Sequence, residues 1–143
     1  MNSRELELSL NEDYRTVDSE RKDLVTYTTT TLAKDIEITG SMTATLWAAT
    51  EGKDTDWNVM IQHVYPDGRA ERIQDGVMRA RFRNGFAQDS VNRRSLLEPG
   101  RIYKYDIDLW FTSRVIPAGH RLRVVIASAA FPKYDRNPKH RRR

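Results

Sequence analysis

Apolar and polar side chains alternate along most of this chain with a period of two, the pattern of a β-strand that buries one face. Few segments show the spacing of an amphipathic helix, and turn residues separate the runs. The predicted strands are Leu6–Leu10, Leu24–Thr30, Ile36–Ile38, Ser41–Ala49, Trp57–Tyr65, Ala70–Ile73, Val77–Arg83, Ile102–Trp110 and Arg121–Ser128. So many short strands in one domain predict two packed sheets.

Turn residues divide these strands at three places. Pro66, Asp67 and Gly68 predict a tight hairpin, because proline presets φ and glycine tolerates a positive φ. Glu98–Gly100 and Pro117–Gly119 predict two further turns just before strands. The polar residues 84–97 predict a long crossover connection of a Greek key, with room for one helical turn at its end.

Charged side chains alternate with apolar ones on two of the strands. Arg79, Arg81 and Arg83 are predicted to share one solvent-facing side of Val77–Arg83. Asp106 and Asp108 share the polar side of Ile102–Trp110 in the same way. A solvated strand face is the simplest interpretation of both. The alternatives are ion pairs between these two strands, a pair of glycosidase carboxylates, and arginines that bind a phosphate or another domain's carboxylates.

Two further groups of residues were considered as metal sites. Asp54, Thr55 and Asp56 resemble the start of a calcium loop but lack its later glycine and glutamate, so an Asx-type cap before Trp57 is the favoured interpretation and calcium stays open. The three histidines, His63, His120 and His140, lack the spacing of a zinc site. We predict His63 to be hydrogen-bonded at the rim of the core and His120 to be structural at a strand start. No metal or other cofactor is predicted.

Composition narrows the class of protein. The chain has 143 residues, enough for one domain, and no cysteine, which excludes disulfides and thiolate sites. No run approaches 18 apolar residues and residues 1–5 do not resemble a signal peptide, so the sequence favours a soluble protein without membrane contact and slightly favours the cytoplasm. The net charge is +4, but residues 131–143 supply the excess, and this basic end is predicted to be a disordered terminus rather than a nucleic-acid site.

The sequence offers no serine nucleophile of the α/β-hydrolase kind. Such enzymes place the serine on a strained Gly-x-Ser-x-Gly turn between a strand and a helix. The nearest candidate, Ser41 after Gly40, lacks the flanking glycines and is predicted to begin a strand. The chain on its own is therefore predicted to be inactive.

From about Asp18 to Asn137 the chain resembles the C-terminal domain of Xaa-Pro dipeptidyl-peptidases, cocaine esterase and α-amino-acid ester hydrolases. Each matching stretch is short, but their order and spacing together are specific. The stretches are Arg21–Thr29, Thr39–Gly40 with Leu46–Trp47, Asp54–Trp57, Val64–Ala70, Asp75–Arg83, Pro117–Arg123 and Phe131–Asn137.

The resemblance implies a jelly-roll, galactose-binding-like β-sandwich joined to a catalytic domain that carries a Ser-Asp-His triad, none of which maps here. It divides the chain into a lead-in at 1–17 with a possible edge strand, the jelly roll at 18–137 and a basic tail at 138–143. The implied partner is the α/β-hydrolase domain in cis, on which the module packs to shape substrate access. The predicted interdomain or structural residues are Asp54, Asp56, Arg79, Arg81, Arg83, His120, Arg121, Asp135 and Arg136.

The chain departs from the family pattern at three points. His63 stands where the family usually has an acidic residue, and Ala130 stands where a polar residue usually precedes Phe-Pro. Family members also continue past Asn137 into further strands, so the jelly roll is expected to lack its last strands and to expose a sheet edge open to homo-oligomer formation. A free-standing carbohydrate-binding module and a truncated gene product are the alternative interpretations.

Overall fold

The computed structural model describes residues 13–15, 21–85, 95–129 and 137, and within them the chain is an antiparallel β-sandwich. The elements are β1 (Leu24–Thr28), β2 (Ile36–Ala48), β3 (Asp56–Val64), β4 (Ala70–Arg79), a 3-10 turn (Ala80–Phe82), β5 (Tyr103–Ile116) and β6 (Arg121–Ala127). One sheet has the strand order β1-β6-β3-β4 and the other consists of β2 and β5. The predicted all-β, jelly-roll type of sandwich is confirmed.

The strand boundaries differ from the prediction, because continuous pairing overrides short polar interruptions. Ile36–Ile38 and Ser41–Ala49 form the single strand β2, whose partner β5 runs to Ile116 and so passes the predicted end at Trp110. Ala70–Ile73 and Val77–Arg79 likewise form β4, paired with β3 along its whole length. The described residues therefore contain six strands rather than about nine, and the predicted strand Leu6–Leu10 lies outside them.

The core lies between the two sheets. Val59 of β3 packs against Tyr105, Ile107 and Leu109 of β5, all of them buried. The sheets approach most closely where β4 meets β5, because Gly76 lies against the backbone of Asp108, and a Cβ at Gly76 would lie 2.1 Å from that carbonyl oxygen. On the opposite side, an apolar cleft of about 470 Å³ opens beside β2, above Val124 and Ile126 of β6.

Strand β3 sets the positions of the polar sites. It is a central strand between β4 and β6, so both of its ends are surrounded by neighbouring segments. Asp56 begins the strand and His63 is its next-to-last residue. Each end of β3 consequently holds a group of buried polar side chains.

Candidate functional site: two buried polar clusters

The first group, here called the carboxylate cluster, lies at the start of β3 and consists of Asp54, Asp56, Arg79, Arg81 and Asn137. The segment 54–56 faces the segment 79–81 residue for residue in antiparallel register. Asp56 pairs with Arg79, the amide of Ala80 donates to the carbonyl of Thr55 at 2.8 Å, and the amide of Arg81 donates to Oδ1 of Asp54 at 3.0 Å. The alternation of charged and neutral residues on one segment thus matches that on the other.

Both carboxylates of this cluster are bound by arginine. Nε of Arg81 donates to Oδ2 of Asp54 at 2.7 Å, and Nε and Nη2 of Arg79 donate to the two oxygens of Asp56 at 2.9 and 3.1 Å. Nδ2 of Asn137 donates to both carboxylates at 3.0 Å. Asp54 is 1% and Asp56 4% exposed, so these ions are desolvated and depend on their partners.

This geometry corrects two predictions, the Asx-type cap before Trp57 and the shared face of the three arginines, and it replaces the calcium alternative that was left open. The aspartates do not act as a loop cap or as part of a calcium loop, because their oxygens accept from Arg79, Arg81 and Asn137. The three arginines do not share one strand face, because β4 ends at Arg79 and the chain turns into the 3-10 turn. The guanidinium of Arg83 donates instead to the backbone carbonyls of Ala80 and Ser95, at 3.2 and 2.6 Å.

The alternative interpretation, ion pairs between the arginines and the aspartates of β5, does not hold. Asp106 binds Nζ of Lys104 at 2.8 Å and the hydroxyl of Thr45 at 2.8 Å, and hydrogen bonds from these two side chains lower its pKa. Asp108 accepts the amide of Trp110 at 2.7 Å. These two aspartates lie on the exposed outer side of the sheet, in agreement with a solvated strand face.

The second group, here called the histidine cluster, lies at the other end of β3. Its members are His63, Tyr65, Arg69, Glu71, Arg114 and His120. The centre of the cluster is a 2.6 Å contact between Nε2 of His63 and Nδ1 of His120. The ring of Tyr65 stacks on His63 at 4.2 Å between centroids. His63 is 3% exposed, and its Nδ1 is buried without a hydrogen-bond partner.

Glu71 is the carboxylate of this cluster and binds three donors. The hydroxyl of Tyr65 donates to it at 2.8 Å, Nη2 of Arg114 at 2.7 Å, and Arg69 binds its other oxygen. Burial alone would raise the pKa of Glu71, but these hydrogen bonds and the two positive charges lower it below the ordinary value. Because Arg114 belongs to β5, this carboxylate also links the two sheets.

The sequence did not reveal this cluster, although it identified both histidines. His63 was predicted to be hydrogen-bonded at the core rim, and it lies in β3 with a ring contact to His120. His120 was predicted to be structural at a strand start, and it directly precedes β6. Their contact arises because β3 and β6, which are distant in sequence, lie side by side with Val64 opposite Arg121. A prediction that β6 pairs with β3 would have placed the Pro117–Gly119 turn next to His63.

Among the remaining predicted site residues, Arg121 joins neither cluster. Nε of Arg121 donates to the hydroxyl of Thr31 at 3.3 Å on the exposed side of β6. Asp135 and Arg136 lie outside the described residues. Ser41 lies inside β2 rather than on a strand-to-helix turn. Within the described part of the chain, no three His, Cys, Asp or Glu side chains converge as metal ligands.

Exposed aromatic side chains mark a third region, on the two-stranded sheet. Trp110 and Phe111, in the middle of β5, are 64% and 70% exposed, and Trp47 near one end of this sheet and Ile102 just before β5 are also exposed. Trp110 has φ +63°, a left-handed conformation that costs about 1–2 kcal/mol for a residue other than glycine. It sits in a bulge where β5 has one residue more than β2. We call Trp47, Ile102, Trp110 and Phe111 the aromatic face.

The fold and these sites define a β-sandwich module whose described side chains are organised for packing and buried ion pairing. Residues 3–143 match the model of the X-Pro dipeptidyl-peptidase C-terminal non-catalytic domain. The chain belongs to this family, as its resemblance in sequence predicted.

Known proteins similar to the chain are larger hydrolases. The chain is 39% identical over 118 residues to cocaine esterase of Rhodococcus sp. (strain MB1 Bresler), a match that covers 82% of this chain and 20% of the esterase. It superposes with a TM-score of 0.81 on an aminopeptidase of a marine sediment Thaumarchaeota archaeon, at 33% identity, and of 0.82 on an α-amino acid ester hydrolase, at 30% identity. Each of these two matches covers 91% of this chain and 22% of the relative, so the chain spans about a fifth of the length of such hydrolases.

In the part of the chain that the structure describes, no helix is long and apolar enough to cross a membrane.

Proposed function

We propose that the chain is a C-terminal module that works in cis with an α/β-hydrolase catalytic domain of a serine peptidase or esterase. It packs on that domain through the aromatic face and shapes the approach of the substrate. The observation that carries the proposal is that this chain belongs to a family of non-catalytic domains, spans about a fifth of its relatives and exposes Trp110 and Phe111 side by side on its small sheet. Neighbouring exposed aromatic side chains of this kind are typical of a surface that another domain covers.

The strained backbone at Trp110 supports the same surface. A bulge that holds a tryptophan with positive φ is costly, yet two hydrogen bonds keep it in place. The Trp110 amide donates to Oδ1 of Asp108 at 2.7 Å, and Nε2 of Gln74 donates to the Phe111 carbonyl at 3.0 Å. The bulge directs two consecutive aromatic side chains outwards. Residual strain of this kind is retained where a side chain must point at a partner.

A chimera tests this proposal. This chain replaces the corresponding C-terminal fifth of the Rhodococcus cocaine esterase, and thermal inactivation and ester hydrolysis are measured. The chimera should be active, and Trp110→Ser with Phe111→Ser should shorten its half-life at elevated temperature. Val25→Ser with Tyr27→Ser, which changes two apolar residues of β1 in the other sheet that are also more than half exposed, is the control.

Three outcomes would contradict the proposal. One is equal inactivation of the two double variants. Another is ester hydrolysis by the 143-residue chain alone that a serine-directed inhibitor abolishes. The third is binding on a glycan array that the aromatic-face changes remove, because it would favour a free-standing carbohydrate-binding module.

The edge of β2 supports a second proposal, self-association. Among the described residues no strand pairs with the outer edge of β2, and the apolar cleft opens beside it. Two copies of the chain would pair along this edge. Sedimentation equilibrium should then show a dimer that Thr43→Pro converts to monomer, whereas a monomeric wild type would exclude this pairing.

A further inference from the structure

The contact between His63 and His120 fixes the protonation state of both rings. Only one proton fits between two nitrogens 2.6 Å apart. If His120 donated it, neutral His63 would carry its proton on Nδ1, which is buried and has no acceptor. An orphaned buried N–H is costly, so His63 carries its proton on Nε2 and donates to Nδ1 of His120. Both rings are neutral in this arrangement.

An added proton has no good position in this cluster. Protonation of His120 at Nδ1 removes the acceptor and sets two N–H groups against each other. Transfer of the other proton from Nε2 to Nδ1 of His63 would relieve that clash, but it creates the buried orphan donor. In the first case the hydrogen bond between the rings is lost. In the second case it is kept, but the buried N–H of His63 without an acceptor offsets the free energy gained.

The surrounding charges also oppose a second positive charge. Among the described residues, the titratable and charged groups that face His63 are Arg114 of β5, His120 before β6, Glu71 of β4, Arg69 of the hairpin turn and Tyr65. Burial is the largest influence that lowers the pKa of His63, and Arg114, His120 and Arg69 lower it further, whereas Glu71 alone raises it. Glu71 is already neutralised by its two arginines.

We propose that the His63–His120 contact is an acid-sensitive latch, which mild acid releases, and which loosens the end of the sandwich where the 117–120 turn meets the β3–β4 hairpin. A carboxylate at position 63 would accept a hydrogen bond from a protonated His120 and would be strengthened by acid. His63 reverses that response.

The released region can be defined from the backbone contacts of the turn. The Leu32 amide donates to the His120 carbonyl at 2.8 Å, and the Gly119 amide donates to the Leu32 carbonyl at 2.9 Å. These bonds tie the β1–β2 connection to the 117–120 turn. Loss of the His120 anchor should therefore open the connection before the core strands unfold.

The pH window follows from linkage. The unfolded chain binds a proton at His63 near pH 6.5, whereas the folded chain, with a lowered pKa, binds it only at lower pH. The contribution of His63 to the stability of the fold is fully present above about pH 6.5, and it falls as the pH decreases towards the folded pKa. The folded-to-unfolded ratio should fall by up to about tenfold per pH unit over that range. Carboxylates titrate mostly below this window.

Urea unfolding of the full chain at pH 7.5, 6.5 and 5.5 is the test. Wild type should lose up to about fivefold in the folded-to-unfolded ratio between pH 6.5 and 5.5, because half of the unfolded chains already carry the proton at pH 6.5. His63→Gln, which can donate to Nδ1 of His120 or accept from a protonated ring, should remove most of this loss, and His63→Glu should reverse it. His140→Gln, in the basic tail, should keep the wild-type slope. Equal slopes for wild type and His63→Gln overturn the proposal.

A second measurement uses wild type alone, in case the variants do not fold. Long-range 1H–15N spectra of the imidazoles report the tautomer and titration of each ring. We expect His63 to be protonated on Nε2 at pH 7.5 and to titrate below the ordinary histidine pKa. Faster amide exchange at Leu32 and Gly119 should accompany mild acid, after correction for the intrinsic rate. A His63 ring protonated on Nδ1, titration at or above pH 6.5, or unchanged protection overturns the proposal.

Discussion

Asp56 begins β3 and His63 lies one residue before its end, and both are almost fully buried. At the first end each carboxylate has its own arginine, so the charges of the cluster cancel at every pH at which the aspartates are ionised. At the second end two arginines share one glutamate, and the two histidines must stay neutral to avoid further positive charge. The same strand therefore has one end that is held by ion pairs and one end whose hydrogen bonding depends on pH.

The difference teaches where sensitivity to conditions arises in such a fold. Burial is similar at both ends, so burial alone does not explain it. What differs is whether each desolvated group has a partner of opposite charge that holds it in one protonation state. Variants at the two ends should therefore differ both in the size of their effect and in its dependence on pH.

The largest expected effect is at Arg81. Arg81→Leu leaves the carboxylate of Asp54 buried without its cation, and the free energy of unfolding at pH 7 should fall by about 3–5 kcal/mol. Arg83→Leu is the control, because the contacts of Arg83 with other described residues are to backbone carbonyls and to the ring of Tyr103, and it should cost about 1 kcal/mol. Urea unfolding measures both. Equal costs would contradict the ion-pair account of this end.

The paired variant sharpens this result. Asp54→Leu combined with Arg81→Leu removes both charges, and a buried pair replaced by apolar side chains is often close to neutral. The double variant should therefore be more stable than Arg81→Leu alone, although the Arg81 amide and Asn137 lose an acceptor. A double variant less stable than the single one would show that the hydrogen bonds, rather than the charge, account for the loss.

An intermediate effect is expected at Glu71, in the histidine cluster. Glu71→Gln weakens three charge-assisted or hydroxyl hydrogen bonds at a partly exposed site, so it should cost about 1–2 kcal/mol at pH 7. Since the pKa of Glu71 is lowered, its contribution is present above pH 4.5 and is lost as the pH falls through the folded pKa. The cost of the variant should shrink over that range. A cost that grows in acid would contradict the assignment.

Removal of Glu71 also tests the coupling within the cluster. Among the charged groups of the described residues, Glu71 is the one that raises the pKa of His63, so Glu71→Gln should lower that pKa further. The loss of stability below pH 6.5 should then extend to lower pH than in wild type. Tyr65→Phe, which removes one hydrogen bond to Glu71 and leaves its charge, should not extend it.

The sequence predicted the strands and the hairpin well, because alternation and turn chemistry are local. Pro66–Gly68 set Val64 opposite Ala70, as the hairpin required. It could not predict the carboxylate cluster, because β4 has an extra residue at Ile73, opposite the step from Ile61 to Gln62. Without that bulge the hairpin would place Met78 opposite Asp56. A shift of one residue brings Arg79 there instead.

The histidine cluster was beyond prediction for a different reason. His63 and His120 are 57 residues apart, and their contact depends on β6 inserting between β1 and β3. Alternation identifies which face of a strand is buried but not which strand lies beside it. The aromatic face was missed for a third reason: Trp110 lies at a predicted strand end, and the continuation of β5 through a bulge turned two aromatic side chains outwards.

The smallest effect is expected at Asn137, which bridges the two carboxylates but carries no charge. Asn137→Ala removes two hydrogen bonds at 3.0 Å and leaves both arginine pairs intact, so it should cost about 1 kcal/mol. The loss should not vary between pH 7.5 and 5.5, because none of the described residues of this cluster is a histidine. A loss as large as that of Arg81→Leu would show that Asn137 rather than arginine holds the carboxylates. A loss that grows in mild acid would show that the two ends of β3 are coupled and do not respond separately.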